Sequence, residues 1–171
     1  VSGVNYGENI GSGITMSGTV GATLEAASLG IPALAVSMQT SAEHHLSLSQ
    51  DVDFNIAGYF THKIAQNILQ LGLPEDVDLI KLDIPQGATR ETPMVITRHS
   101  RRRYYVPKPA RRESLSDRGP MGYEIRYDQD ELEKGTDLYV LLVEKKVSVT
   151  PISIDQTSRT EIKNLQSLLE D

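Results

Sequence analysis

Two short polar stretches near the start of the chain carry residues that could bind a phosphate group. The first, SGVNYGEN, spans Ser2–Asn9, and the second, SGTVGA, spans Ser17–Ala22. A helix beginning at Ser17 would offer free backbone N–H groups, hydroxyls and the positive end of its dipole, and a phosphate can use all three. Glycine at position 18 would let the backbone approach the anion closely. The second stretch therefore predicts an anion site at a helix start.

The asparagines of the first stretch extend this chemistry. Asn5 and Asn9 carry amide oxygens, which can ligate a hard cation, and NH₂ groups, which can donate to phosphate. Both stretches also have an ordinary structural explanation. Serine or threonine before a helix is usually an N-cap, and asparagine in a Gly-rich loop is usually a turn residue. Neither stretch alone indicates an enzyme.

The elements around these stretches follow the order strand, loop, helix, strand. Residues 1–3 are typical of the end of a buried strand. From there to Ile14, glycines interrupt the regular spacing of apolar residues that a helix or a strand would show. A helix is predicted from Ser17 to Leu29, with Gly30 as its stop, and a buried parallel strand over Ala33–Met38. Because parallel strands need a helical crossover, this order predicts an α/β unit.

The rest of the chain contains weaker signals. The predicted elements are a helix over Phe54–Leu71, strands over Asp78–Ile84, Met94–Thr97 and Tyr104–Val106, a polar loop or arm over Lys108–Gly122, a hairpin of Thr136–Val143 with Lys146–Pro151, and an amphipathic helix over Arg159–Leu169. The adjacent His44 and His45 are predicted to lie in a solvated loop.

Composition narrows the class of protein. The net charge of −6 over 171 residues argues against nucleic-acid binding, although the four arginines in residues 98–103 are followed directly by Tyr104 and Tyr105. The longest apolar runs are too short to span a bilayer, so no membrane partner is expected. The chain has no cysteine, which excludes disulfides and thiolate metal sites and is typical of a cytoplasmic protein.

Three stretches in this order resemble the SurE family of metal-dependent phosphatases and nucleotidases. They are Ser-Gly-x-Asn-x-Gly-x-Asn at Ser2–Asn9, Ser-Gly-Thr-Val-x-Ala at Ser17–Ala22, and Leu-Gly-Ile-Pro-Ala-Leu-Ala-Val-Ser at Leu29–Ser37. Fainter similarity continues through Leu82–Pro85, Gly135–Asp137 and Val147–Pro151. The resemblance covers most of the chain and is specific up to about Ser37.

The resemblance implies a role for each matched residue. Asn5 would be a catalytic metal ligand and Ser17 a catalytic residue, with Asn9, Ser17, Gly18 and Thr19 binding the phosphate. The cofactor would be a divalent cation, Mg²⁺ or Mn²⁺, that polarises the phosphoryl oxygen and activates a water. The substrates would be nucleoside 5′- or 3′-monophosphates, as in a 5′-nucleotidase or acid phosphatase. Polyphosphate chains, which some members of the family hydrolyse, would be a further class of substrate.

One departure from the family pattern bears on activity. The family's adjacent Asp-Asp pair, which completes the metal shell, occurs nowhere in these 171 residues. Because hard cations prefer carboxylate ligands, one amide oxygen is not enough to hold Mg²⁺ or Mn²⁺. We therefore expect that an N-terminal segment is missing and that the chain alone is inactive.

The resulting interpretation is an α/β fold with a three-layer Rossmann-like core, a mostly parallel sheet, a β-hairpin arm and a C-terminal helix. Residues 1–87 would form the catalytic core, 88–135 an arm for a domain-swapped dimer or tetramer, and 136–171 returning strands and the terminal helix. The alternative is a non-catalytic module that binds phosphate or a nucleotide on the same fold. A dinucleotide-dependent oxidoreductase is excluded, because Gly-x-Gly-x-x-Gly does not precede the first helix.

Overall fold

The computed structural model describes residues 1–45, 51–110, 112–114, 116–119 and 122–169, without the side chain of Ile162. Parts of the polar segment predicted over Lys108–Gly122, namely residues 111, 115, 120 and 121, thus lie outside the described residues. So do residues 170 and 171, at the end of the third predicted unit.

The elements of the described chain alternate between strands and helices through its first half. The strands are β1 (Ser2–Tyr6), β2 (Ala33–Met38), β3 (Leu79–Ile84), β4 (Met94–Ile96), β5 (Tyr105–Lys108), β6 (Gly122–Ile125) and β7 (Val147–Ile152). The α-helices are α1 (Gly18–Ser28), α2 (Asn55–Leu71) and α3 (Asp137–Leu142). Short 3₁₀ helices cover Gly11–Met16, Ala42–His44, Gln129–Glu131 and Ile162–Leu168.

The main sheet has five strands in the order β1-β2-β3-β7-β4. The first three strands are parallel, β7 runs antiparallel to β3, and β4 is parallel to β7. Every residue of β2 and β3 is buried, as expected for central strands covered on both faces. The mostly parallel sheet and α/β class predicted from the sequence are confirmed.

Helices cover both faces of this sheet and make it a three-layer structure. On one face Ala57 and Phe60 of α2 join a core with Leu34, Val36 and Leu82. On the other face Ala27 of α1 packs with Ala33 and Leu79, and α3 contacts β3 and β7. Neighbouring residues such as Ala33 and Leu34 belong to different cores, because successive side chains of a strand point to opposite faces of the sheet.

The start of α1 is formed as the sequence predicts. Ser17 has an extended backbone, and its Oγ accepts a hydrogen bond of 3.2 Å from the N–H of Val20, which is the geometry of an N-cap. Gly30 follows the helix with a φ of +75°, a conformation that favours glycine and ends the helix. At the other end of the helix, the hydrogen bond from the Thr19 hydroxyl to the Asn5 amide oxygen places the start of α1 beside β1.

The strand predicted over Thr136–Val143 is wrong, because residues 137–142 form α3. Thr136 caps this helix by accepting a hydrogen bond from the N–H of Tyr139. The apolar residues of α3 are almost all buried, so the run shows neither a helical nor a strand period in the sequence. Only β7 of the predicted hairpin exists, and it pairs with β3 and β4.

After Ile96 the chain leaves the main sheet, forms a separate pair of strands, and returns to the main sheet at β7. β5 and β6 pair antiparallel, from Tyr105 opposite Ile125 to Lys108 opposite Gly122, and form a separate two-stranded ribbon. The division predicted at residue 88 does not separate two architectural units, because β4 pairs with β7 in the main sheet.

The C-terminal segment differs from the amphipathic α-helix predicted there. Ile162–Leu168 is a 3₁₀ helix, and Leu165, Leu168 and Leu169 are exposed. Without a buried apolar face, a segment of this length lacks the packing that stabilises an α-helix. In the described part of the chain, no helix combines the length and the apolar character needed to cross a membrane.

Candidate functional site

A pocket of about 890 Å³ lies where β1 and the loop after it meet the start of α1 and the β5–β6 ribbon. Asn5, Asn9, Ser17 and Gly18 all line it. In open α/β sheets, ligands bind outside the carboxyl ends of the parallel strands, where this pocket lies. The fold therefore brings together the two stretches that the sequence singles out.

Asn5 and Thr19 are joined by a direct hydrogen bond. The Thr19 hydroxyl donates to the Asn5 amide oxygen at 3.2 Å, and the Asn5 NH₂ group donates to the carbonyls of Gly7 at 2.8 Å and Tyr6 at 3.2 Å. These contacts fix which end of the amide faces α1. The amide oxygen keeps a second lone pair for a ligand.

The first residues of α1 supply hydrogen-bond donors to the pocket. Gly18 and Thr19 occupy the first two helical positions, whose N–H groups have no partner within a helix. A Cβ built on Gly18 would meet no heavy atom within 4 Å, so the space beside this backbone is open. A phosphate oxygen could approach here, toward the positive end of the helix dipole.

Asn9 is anchored to two strands of the sheet. Its side-chain NH₂ donates to the hydroxyl of Ser37 on β2 at 2.8 Å, and its backbone N–H donates to a carboxylate oxygen of Asp83 on β3 at 2.8 Å. One hydrogen of the NH₂ group is left to donate to a ligand. Anchoring at both ends makes Asn9 a preorganised donor.

A buried cluster of charged residues lies beneath the Asn9 loop. Lys81 Nζ is 2.6 Å from Asp83 and 3.2 Å from Asp137, and all three side chains are fully buried. The ring Nδ1 of His99 lies 3.2 Å from Asp137. Asp137 also accepts hydrogen bonds from the N–H of Ser100 at 2.9 Å and of Gly11 at 3.2 Å.

The cluster supports the loop that carries Asn9 and Gly11 from below. Asp83 holds the backbone of Asn9, Asp137 holds that of Gly11, and Lys81 links the two carboxylates. This cluster was not predicted from the sequence, although two charged residues spaced two apart in an otherwise apolar strand are a signal. Such residues face the same side of a buried strand and require partners there.

The pKa values of the cluster reflect competition between burial and ion pairing. Burial acts to lower the pKa of Lys81, but Asp83 and Asp137 together raise it. Burial raises the pKa of Asp83 to about 6 despite Lys81. For Asp137, burial is outweighed by Lys81 and by hydrogen bonds from His99 and Ser100, which lower its pKa to about 2.

An aromatic wall on the ribbon side of the pocket was also missed. Tyr105 and Tyr123 of the ribbon line the pocket with His45, whose ring Nδ1 lies 2.6 Å from the Tyr123 hydroxyl. His45 is thus half-buried in a pocket wall, and its prediction as a solvated loop residue is wrong. Gly7, with a φ of +91°, leaves room for it: a Cβ at Gly7 would come within 2.6 Å of the imidazole. Only the ribbon's fold brings residues 78 positions apart into this contact.

The described residues do not by themselves form a site for a hard cation. No group of three or more histidine, cysteine, aspartate or glutamate side chains suited to a metal occurs among them. Asn5 fits as one oxygen ligand, since it lines the pocket and its amide oxygen accepts a hydrogen bond from the Thr19 hydroxyl alone among the described residues. Glu8 is the one carboxylate among the described residues that line the pocket, so these residues do not supply the several carboxylates that a hard cation prefers.

The fold and the pocket define an α/β protein with polar donors gathered at the carboxyl ends of parallel strands. A family model for the survival protein SurE matches residues 1–106. The chain therefore belongs to the SurE family. It is 44% identical over 171 residues to the 5′-nucleotidase SurE of Thermococcus gammatolerans and 40% identical over 170 residues to that of Thermococcus kodakarensis.

These relatives are longer than the chain. The alignments cover 99% of this chain but 63% and 64% of the two Thermococcus proteins. The crystal structure of SurE protein from Aquifex aeolicus superimposes with a TM-score of 0.72 at 27% identity, over 98% of this chain and 64% of that one. The chain thus spans somewhat less than two thirds of the length of the relatives it matches.

Proposed function

We propose that this protein is a phosphomonoesterase that hydrolyses nucleoside 5′- or 3′-monophosphates. The observation that carries the proposal is the convergence of Asn5, Asn9 and the start of α1 on one pocket. The two Thermococcus relatives named 5′-nucleotidase SurE support the choice of substrate class.

The chain's own residues would bind and orient the phosphate. The N–H groups of Gly18 and Thr19, the Ser17 hydroxyl and the remaining hydrogen of the Asn9 amide can donate to its oxygens. Arg103, Lys108 and Arg112 also line the pocket and supply positive charge there, although the chain as a whole is acidic. Fixed donors of this kind stabilise the charge of a phosphoryl group in transfer.

We also propose a divalent cation, Mg²⁺ or Mn²⁺, as cofactor, with Asn5 contributing one oxygen ligand. When bound, such an ion polarises a phosphoryl oxygen and lowers the pKa of a water. The Thr19 hydroxyl orients the Asn5 amide and so acts on that ligand indirectly.

Phosphate release from adenosine 5′-monophosphate tests this proposal. We expect the intact protein to release inorganic phosphate with Mg²⁺ or Mn²⁺ and to stop when the ion is chelated. Thr19→Val, which removes the hydrogen bond to Asn5, should lower kcat/KM about 3–10-fold. Thr61→Val on α2 is the matched control, because Thr61 donates only within its own helix. Nucleotide binding without hydrolysis under either ion would instead favour the non-catalytic binding module.

We further propose that the protein self-associates as a dimer or tetramer through the ribbon and the C-terminal segment. Apolar side chains are exposed in both places: Ile125 at 43% and Leu168 at 77%. Burying such residues against a second copy would remove them from water. Light scattering is expected to give at least twice the mass of one chain, and a monomer at micromolar concentration would contradict the proposal.

A further inference from the structure

Glu8 is a buried carboxylate for which the fold provides no complete set of partners. Its side chain is 2% exposed, and its Oε2 makes no hydrogen bond to any described residue. Glu8 is the one acidic residue among the described residues that line the pocket. A buried, unsatisfied charged oxygen is unfavourable, so its presence in a binding pocket calls for a ligand that donates to it.

A second unsatisfied group lies beside it. The Tyr105 hydroxyl is also buried without a hydrogen bond of ordinary length and angle among the described residues, although it lies close enough to Glu8 to interact with that carboxylate, and Tyr105 lines the same pocket. Burial and then the negative charge of Glu8 raise the pKa of Tyr105 well above its usual value. Tyr105 therefore stays a neutral phenol at physiological pH, so the pocket holds an acceptor and a donor side by side.

The surroundings of these two groups are aromatic. The ring centroids of Tyr105 and Tyr123 are 5.2 Å apart, and those of His45 and Tyr105 are 5.8 Å apart. His45 Nε2 lies 3.2 Å from the carbonyl oxygen of Thr40, so this nitrogen donates, and Nδ1 of the same ring lies 2.6 Å from the Tyr123 hydroxyl. The contacts of both ring nitrogens thus hold the wall in place, and it presents flat aromatic rings to the pocket.

The position of Glu8 in the chain limits which donor it can meet. Glu8 directly precedes Asn9, so its backbone lies about 3.8 Å from that of a proposed phosphate ligand. In a nucleoside monophosphate, the sugar is attached directly to the phosphate and the base lies one ring further away. A carboxylate that accepts a hydrogen bond from a ribose hydroxyl is also how dinucleotide-binding sites recognise that sugar.

We propose that Glu8 is a specificity-determining residue that accepts a hydrogen bond from a ribose hydroxyl of the bound nucleotide, with Tyr105 donating beside it. This inference rests on the proposed function, because it assumes that the phosphate lies at the start of α1. On this side of the pocket, the protein would therefore recognise the sugar of the nucleoside and not its base.

A comparison of two substrates in the intact protein tests the proposal. Adenosine 5′-monophosphate has both ribose hydroxyls, and 2′,3′-dideoxyadenosine 5′-monophosphate has neither. In the original protein we expect a preference for the first substrate, expressed as a ratio of kcat/KM values. Glu8→Gln should reduce that ratio about 10–100-fold, the effect of losing a hydrogen bond to a charged group. Glu75→Gln, at an exposed position, is the matched control.

The outcomes separate this proposal from the proposed function. An unchanged ratio in Glu8→Gln overturns the ribose contact even if both rates fall, because Glu8 would then act on the loop or the phosphate. If the original protein releases no phosphate from either substrate, calorimetric titration with adenosine and 2′,3′-dideoxyadenosine gives the same comparison. Tighter binding of adenosine that is lost in Glu8→Gln supports the contact, and equal affinities refute it.

Discussion

Replacing Lys81 by methionine is expected to lower the free energy of unfolding by about 3–5 kcal/mol at pH 7. Methionine preserves much of the side-chain volume, so the main loss is the positive charge between Asp83 and Asp137. The two carboxylates would then lie in the interior without a cation, and removing one partner of a buried ion pair leaves an uncompensated charge. Urea unfolding followed by circular dichroism measures the change.

Two further variants decide whether the charge is the cause. Lys163→Met removes an exposed lysine, 78% exposed and paired with Glu161, and should cost no more than about 1 kcal/mol. Lys81→Met combined with Asp83→Asn removes one of the two unpaired charges while keeping an oxygen for the Asn9 N–H, so it should recover part of the loss. A double variant as unstable as Lys81→Met would show that the defect is one of packing.

The pH dependence of the loss gives an independent check. The pKa of Asp137 is lowered to about 2, so its contribution to stability is complete above the unfolded pKa of 3.8 and is lost as pH falls toward 2. The pKa of Asp83 is raised to about 6, so its contribution has the opposite sign: it is present below pH 3.8 and lost as pH rises through 6. Without Lys81 both carboxyl pKa values rise, so the deficit of Lys81→Met should be larger at pH 7 than at pH 5.

The cluster also shows how far the sequence determines the site. Asn5, Asn9 and the start of α1 could be predicted because their chemistry lies in contiguous stretches with characteristic spacing. The helices α1 and α2 and the strands β2 and β3 could be predicted for the same reason, since periodicity and glycine stops are local signals.

The remaining parts of the site depend on contacts that no local pattern encodes. The pairs His45–Tyr123 and Lys81–Asp137 join residues far apart in sequence, and only the ribbon and α3 bring them together. The sequence of α3 predicts a strand and not a helix. Because nearly all of its residues are buried, polar residues do not recur on one side with the spacing that marks a helix. The structure therefore adds the charged cluster beneath the Asn9 loop and the aromatic wall on the ribbon side of the pocket.

Because Asn9 is held from both sides, changing its charge should affect catalysis far more than folding. Asn9→Asp is expected to reduce kcat/KM for adenosine 5′-monophosphate about 10²–10³-fold, the effect of losing a preorganised donor to a charged oxygen. Aspartate has the same shape, so the backbone hydrogen bond to Asp83 can persist, and the Ser37 hydroxyl can turn to donate to the new carboxylate. The substitution thus replaces a donor with a negative charge where the phosphate would bind.

Measuring kcat and KM together with inhibition by inorganic phosphate tests this expectation. The phosphate inhibition constant should rise in Asn9→Asp, because the carboxylate repels the free anion as well as the substrate. Asn67→Asp makes the same chemical change at an exposed position on α2 and should leave both quantities within about twofold, since surface charges are screened. If Asn9→Asp were no worse than this control, Asn9 could not be a phosphate ligand, and the start of α1 would have to hold the anion without it.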